Sequence, residues 1–130
     1  MIQTSLQAGL AQLQALANYI DQGSVNATFV FYEDVKPASL AITANEAAKL
    51  VVLTLPKPGF KKLNADSIEL NQTDAGVVTK TGTAVWARLF NGEGNAVADF
   101  EVGTDITLAN QNLVIGSTLM MNSIILRPSV

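Results

Sequence analysis

The chain has 130 residues, 48% apolar and 15% charged, with 8 Lys and Arg against 11 Asp and Glu and a formal charge of −3. It contains neither Cys nor His, which excludes disulfides, thiolate nucleophiles, Cys-ligated metal centres, imidazole bases and Ser-His-Asp triads. A pI near 4.7 and scattered cations argue against a domain that wraps nucleic acid, whose affinity depends on neutralising phosphates.

A chain of this length predicts one domain over residues 1–130, with a helical segment in 1–23 and a β-sandwich in 24–130. An ordinary apolar fraction with few charges predicts a folded chain. No apolar run reaches the roughly 18 residues of a membrane span, and Met1 to Gly9 lacks the basic start and apolar centre of a signal peptide. The expectation is a soluble intracellular product without membrane contacts.

From Leu6 to Asp21, apolar residues recur at Leu6, Leu10, Leu13, Ala17 and Ile20, a spacing that lines one side of an α-helix. Thr4 or Ser5 can cap its start and Gly23 can end it. Leu16 and Tyr19 widen the stripe, which predicts packing against the chain's own sheet or a neighbouring subunit.

After Gly23 the period falls to two. Val25 to Tyr32 and Leu50 to Leu55 read as strands, the second closed by Pro56-Lys57-Pro58-Gly59 at a sheet end, with Phe60 plugging the core. Ala38 to Lys49 reads as a loop crossing between sheet edges. Ser67 to Leu70 and Gly76 to Lys80 are short strands around a polar turn. Thr83 to Phe90 and Ala96 to Val102 form a hairpin about Asn91-Gly92-Glu93-Gly94-Asn95, whose glycines permit a tight reversal. Ile106 to Leu108, Leu113 to Ile115 and Leu119 to Leu126 complete the set. One helix followed by about eight strands predicts a mainly β fold, an antiparallel sandwich or flattened barrel.

Each cluster that could carry chemistry has a plainer reading. The 91–95 loop offers one carboxylate, Glu93, where a calcium loop wants several. Glu33-Asp34, and Asp99 with Glu101 on one strand face, could pair carboxylates as glycosidases do, but acids at strand faces are usually solvated. Arg88 shares a face with Trp86 and Phe90, so the group reads as a core tryptophan under a snorkelling arginine or as a sugar-stacking platform. Lys57, Lys61 and Lys62 around Phe60 read as a solvated loop, and Met120-Met121 as core filling. No catalytic residue, metal ligand or cofactor is assigned.

The run Gly82-Thr83-Ala84-Val85-Trp86-Ala87-Arg88-Leu89, then Asn91 to Asp99, Val102-Gly103 and Asp105-Ile106-Thr107-Leu108, resembles a group of small proteins of tailed bacteriophages and prophages. Members look like G-T-A-x-W/H-x-R-L, a D-G-N-A-V hairpin, a V-G pair, a D-L-x-L strand and a closing G-x-x-x-x-V-x-S-F-T strand. The closing element here is Ile115 to Ile125. The Lys-Pro-Gly-Phe-Lys-Lys middle and the ending Leu126-Arg127-Pro128-Ser129-Val130 depart from that pattern. The resemblance implies a virion structural component made in the host bacterial cytoplasm, and carries over no catalytic residue.

The leading expectation is therefore a non-enzymatic homo-oligomer on the particle, decorating or stabilising the head through the major capsid protein. A tail, collar, baseplate or fibre component is the alternative. A glycan-binding module using Trp86 and Tyr32, and a hydrolase using Asp99 and Glu101, are the other classes. The expected interface residues are Leu6, Leu10, Leu13 and Ile20 on the helix and Phe60 at the loop corner, each of which could equally serve the core.

Overall fold

The computed structural model describes residues 5–108, 110–121 and 124–126. Helix α1 (Leu6–Ile20) starts where the Ser5 hydroxyl accepts from the Ala8 N–H at 3.2 Å; Thr4, the other cap candidate, lies outside the described residues. It ends at Asp21, and Gly23 follows with φ of 110°, a conformation that glycine adopts without steric cost. Gly9, Ala17 and Ile20 are buried, and Leu13 and Leu16 pack half-buried on the core.

Eleven short strands follow among the described residues: β1 (Thr28–Tyr32), β2 (Lys49–Thr54), β3 (Phe60–Leu63), β4 (Ile68–Leu70), β5 (Gly76–Val77), β6 (Gly82–Thr83), β7 (Trp86–Phe90), β8 (Ala96–Glu101), β9 (Asn112–Leu113), β10 (Thr118–Leu119) and β11 (Ile124–Leu126). An antiparallel sheet in the order β2-β1-β7-β8 faces a second in the order β11-β4-β3, with two short ribbons, β10–β5 and β6–β9. Phe29, Phe31, Leu53 and Leu89 from the first sheet meet Ile68, Leu70, Ile124 and Leu126 from the second in one core that also takes Ala17 and Ile20. This is the β-sandwich-like arrangement that the alternation predicts.

Residues 68–77 pair with 118–121 and with 124–126 in a ribbon that passes from one sheet to the other. Leu70 lies opposite Ile124 at one end and Val77 opposite Thr118 at the other. Between them the Thr73 N–H donates to the Met121 carbonyl at 3.0 Å, and the Thr73 hydroxyl accepts from the Met121 N–H at 2.9 Å. At the first sheet the ribbon lies along β2, where the Asp74 N–H donates to Thr54 at 3.0 Å and the Thr79 N–H to Leu50 at 2.9 Å. Gly76 permits that approach, since a Cβ there would stand 2.4 Å from the Val52 carbonyl oxygen.

Several elements differ from expectation, each for a reason of pairing. The segment read as a single strand from Thr83 to Phe90 changes partners: Gly82–Thr83 pairs with β9, the Val85 N–H turns to the Tyr32 carbonyl, and Trp86–Phe90 pairs with β1. Ile106 to Leu108 forms no strand, only a bridge from Ile106 to Val102. Phe60 is half-buried and opens β3, an unanticipated strand paired with β4. The loop from Ala38 does not cross between sheet edges. It joins the neighbours β1 and β2 and ends in a 3-10 turn at Glu46–Ala48, capped by Asn45. The closing strand divides into β10 and β11, with Asn122 and Ser123 outside the described residues.

Candidate functional site

The outer face of the first sheet carries a buried polar cluster. Period-two alternation sends Val30, Tyr32 and Trp86 to that face, where they form a small second core with Ala48. The Tyr32 and Trp86 rings stack with centroids 4.4 Å apart and planes 18° apart, and the Arg88 guanidinium lies 5.3 Å from the Trp86 ring centroid. β7 and β8 set Arg88 opposite Asp99 in register.

Arg88 is therefore not snorkelling, and Asp99 is not solvated. Their side chains are 3% and 8% exposed. Nε donates to Asp99 Oδ1 at 2.7 Å and Nη2 to Oδ2 at 3.0 Å, the two-pronged geometry that makes arginine–carboxylate pairs strong. Nη1 donates to the Ile42 carbonyl at 2.7 Å, which ties the 33–48 segment down over the sheet. The Asp99 hydrogen bonds raise the Arg88 pKa above its usual value. Burial, with the nearby Glu46 carboxylate, pushes the Tyr32 phenol up to about 12.

The same strap absorbs the Glu33-Asp34 pair. Asp34 accepts from the Trp86 indole N–H at 2.8 Å, and Glu33 pairs with Lys80, whose ammonium also donates to the Ala47 carbonyl at 2.8 Å. Trp86 and Tyr32, at 0% and 1% exposure, offer no open face to a sugar. This corrects the reading of them as a stacking platform. Asp99 is held by Arg88 while Glu101 is exposed, so the two do not act as a matched pair.

The hairpin tip is organised by Asn91. Its side-chain oxygen accepts from the Glu93 and Asn95 N–H groups, each at 3.0 Å, while its buried amide nitrogen finds no partner among the described residues. Among those residues there is also no cluster of three or more carboxylates that could hold a metal ion.

The lysine loop is ordered rather than merely solvated. The Lys57 ammonium donates to the Gly23 carbonyl at 2.6 Å, and the Asp21 carboxylate accepts from the Gly59 N–H at 2.9 Å, fastening the turn to the helix C-terminus. A register shift in β3 brings Lys61 and Lys62 to the same acid, Glu69, at 3.2 and 3.9 Å. Met121 is buried and Met120 is 41% exposed.

The expected interface residues separate. Leu6 is 41% exposed; Leu10 is half-buried; Leu13 and Phe60 pack partly on the core. Ile20 is wholly buried in this chain's own core, which corrects its placement at an interface. A cavity of about 530 Å³ beside β10 is lined by Asn110, Asn112, Thr118, Leu119, Met120 and neighbours, none of them titratable. No helix among the described residues is long and apolar enough to cross a membrane. Comparison with family models, curated proteins and solved structures finds no match.

Proposed function

We propose that this chain is a non-enzymatic structural protein of a tailed-bacteriophage particle, which self-associates and decorates or stabilises the head. The observation that carries the reading is where the phage-like residues lie. Trp86, Arg88 and Asp99, three members of the resembling run, are locked into one another beneath the 33–48 strap, an arrangement that commits all three side chains to building the fold. Exposed apolar side chains such as Val35, Val77 and Ile115 provide surface that assembly would bury. The work of such a protein is area and symmetry, with specific contacts typically burying about 800 Å² per partner and many weak ones adding through avidity.

The test is to tag the chain in a phage that encodes it and locate it by immunogold microscopy on purified particles. Label over the heads is the expected result. Label on tails, collars or fibres overturns the head assignment alone, and particles free of the protein overturn the whole reading.

A further inference from the structure

We propose that Met120 is a reversible oxidation site, at which a peroxide adds one oxygen to the sulfur through its free lone pair while Gln72 keeps the other lone pair closed. The site lies on the ribbon that joins the two sheets, and its chemistry does not depend on assembly.

With no cysteine in the chain, the thioethers of Met1, Met120 and Met121 are its only sulfur groups, and no thiol competes with them for an oxidant. The two neighbours differ sharply in access. Met120 is 41% exposed and Met121 5%. Met121 belongs to the core, where its N–H donates to the Thr73 hydroxyl at 2.9 Å and its carbonyl accepts from the Thr73 N–H at 3.0 Å. Met120 borders the cavity of about 530 Å³ beside β10, so a peroxide arriving from solvent has an open path to its side chain.

Gln72 is the positioning residue. Its side-chain N–H donates to the Met120 sulfur at 3.2 Å. Both neighbours of Gln72 are held: the Asn71 amide donates to the Pro58 and Phe60 carbonyls at 2.9 and 3.3 Å, and Thr73 is clasped to Met121. A thioether sulfur carries two lone pairs, and either can attack a peroxide oxygen. The one that accepts from Gln72 is blocked, because an oxygen bonded to sulfur cannot enter a gap of 3.2 Å and still leave the ~2.9 Å that an N–H···O bond requires. Reaction therefore goes through the free lone pair. That electron pair forms the S–O bond, the peroxide O–O bond breaks, and the leaving oxygen takes both peroxide protons as water. The sulfoxide sulfur is a stereocentre, so one epimer predominates. The product places a strong hydrogen-bond acceptor on the cavity rim where the thioether offered a weak one, and sulfoxide reductases can restore the thioether.

The experiment treats the full chain with hydrogen peroxide, folded and in urea, alongside Gln72→Ala, with circular dichroism reporting folding. Tandem mass spectrometry of the digested protein reads the added oxygen at Met120 and Met121 separately, and treating the digest with each of the two stereospecific methionine sulfoxide reductases reads the epimers. In the folded wild type Met120 is expected to gain its oxygen well before Met121, and one reductase to clear most of it. In urea the two methionines react alike, and each reductase clears about half of the product. Gln72→Ala keeps the selectivity for Met120 and loses the epimer bias. If that variant fails to fold, Gln72→Glu, which keeps the side-chain shape without the N–H, takes its place. Equal rates at Met120 and Met121 in the folded protein overturn the site. An epimer bias that is missing from the folded wild type, or that survives loss of the Gln72 N–H, overturns the role given to Gln72.

Discussion

Arg88 brings a charge to a place that water does not reach, and that is tolerable only because Asp99 meets it with two hydrogen bonds and Ile42 with a third. Breaking one side of such a pair leaves an uncompensated buried charge, at a cost of about 3–5 kcal/mol. Arg88→Ala and Asp99→Ala should each lose about that much in urea denaturation, and the double variant clearly less than their sum; additive losses would show that the two are not coupled. Tyr32, in the same cluster, gives a pH signature. Its folded pKa of about 12 lies above the ordinary value of 10.0, so its contribution is fully present below pH 10 and is lost as pH rises from there through 12. The melting temperature should fall across that window and fall less steeply in Tyr32→Phe, which keeps the ring stacked on Trp86 without an ionisable phenol. The pair was not legible in the sequence as a pair. Arg88 and Asp99 read separately as surface charges because their burial depends on the path of the 33–48 strap, which has no periodicity to announce it.

The hairpin joining β7 and β8 shows what an element does reveal. Asn91-Gly92-Glu93-Gly94-Asn95 between two alternating runs reads as a reversal on turn chemistry alone, and Gly94 has the positive φ of 84° that such a turn demands. What the sequence concealed is that Gly92 serves packing. A Cβ on Gly92 would stand 2.1 Å from the Val25 carbonyl oxygen, whereas one on Gly94 meets nothing within 4 Å. Gly94→Ala should therefore cost only backbone strain, about 1–2 kcal/mol, and Gly92→Ala distinctly more, because the tip must lift from the 22–25 segment. Chemical denaturation of the two variants checks the order, and equal losses would mean that this contact adds nothing to the turn. Helix α1 divides in a similar way. Its apolar spacing was legible, but which of the apolar positions meet the core was not: Ala17 and Ile20 are buried while Leu6 is exposed, and the segment just after the helix is fastened, through Asp21 and Gly23, to the 56–60 turn.

At the scale of the whole molecule, the β class follows from alternation, whereas the way the sheets are joined depends on contacts 48 residues apart, such as that between the Thr73 hydroxyl and the Met121 N–H. Thr73 itself looks like a turn residue in sequence, yet it is 2% exposed and holds the ribbon midway between its two sheets. A ribbon with one end in each sheet leaves neither sheet able to unfold without disturbing the other, and the shared core reinforces that coupling. Trp86 reports on the first sheet, and far-ultraviolet circular dichroism reports on both. The two signals should trace one coincident unfolding transition, as a two-state domain requires. Thr73→Val keeps the side-chain shape but leaves the Met121 N–H without its acceptor, a loss of about 1–3 kcal/mol for a buried donor. That variant should shift both signals together to lower denaturant. If tryptophan fluorescence held its midpoint while circular dichroism moved, the sheets would be separable units and the ribbon only a tether between them.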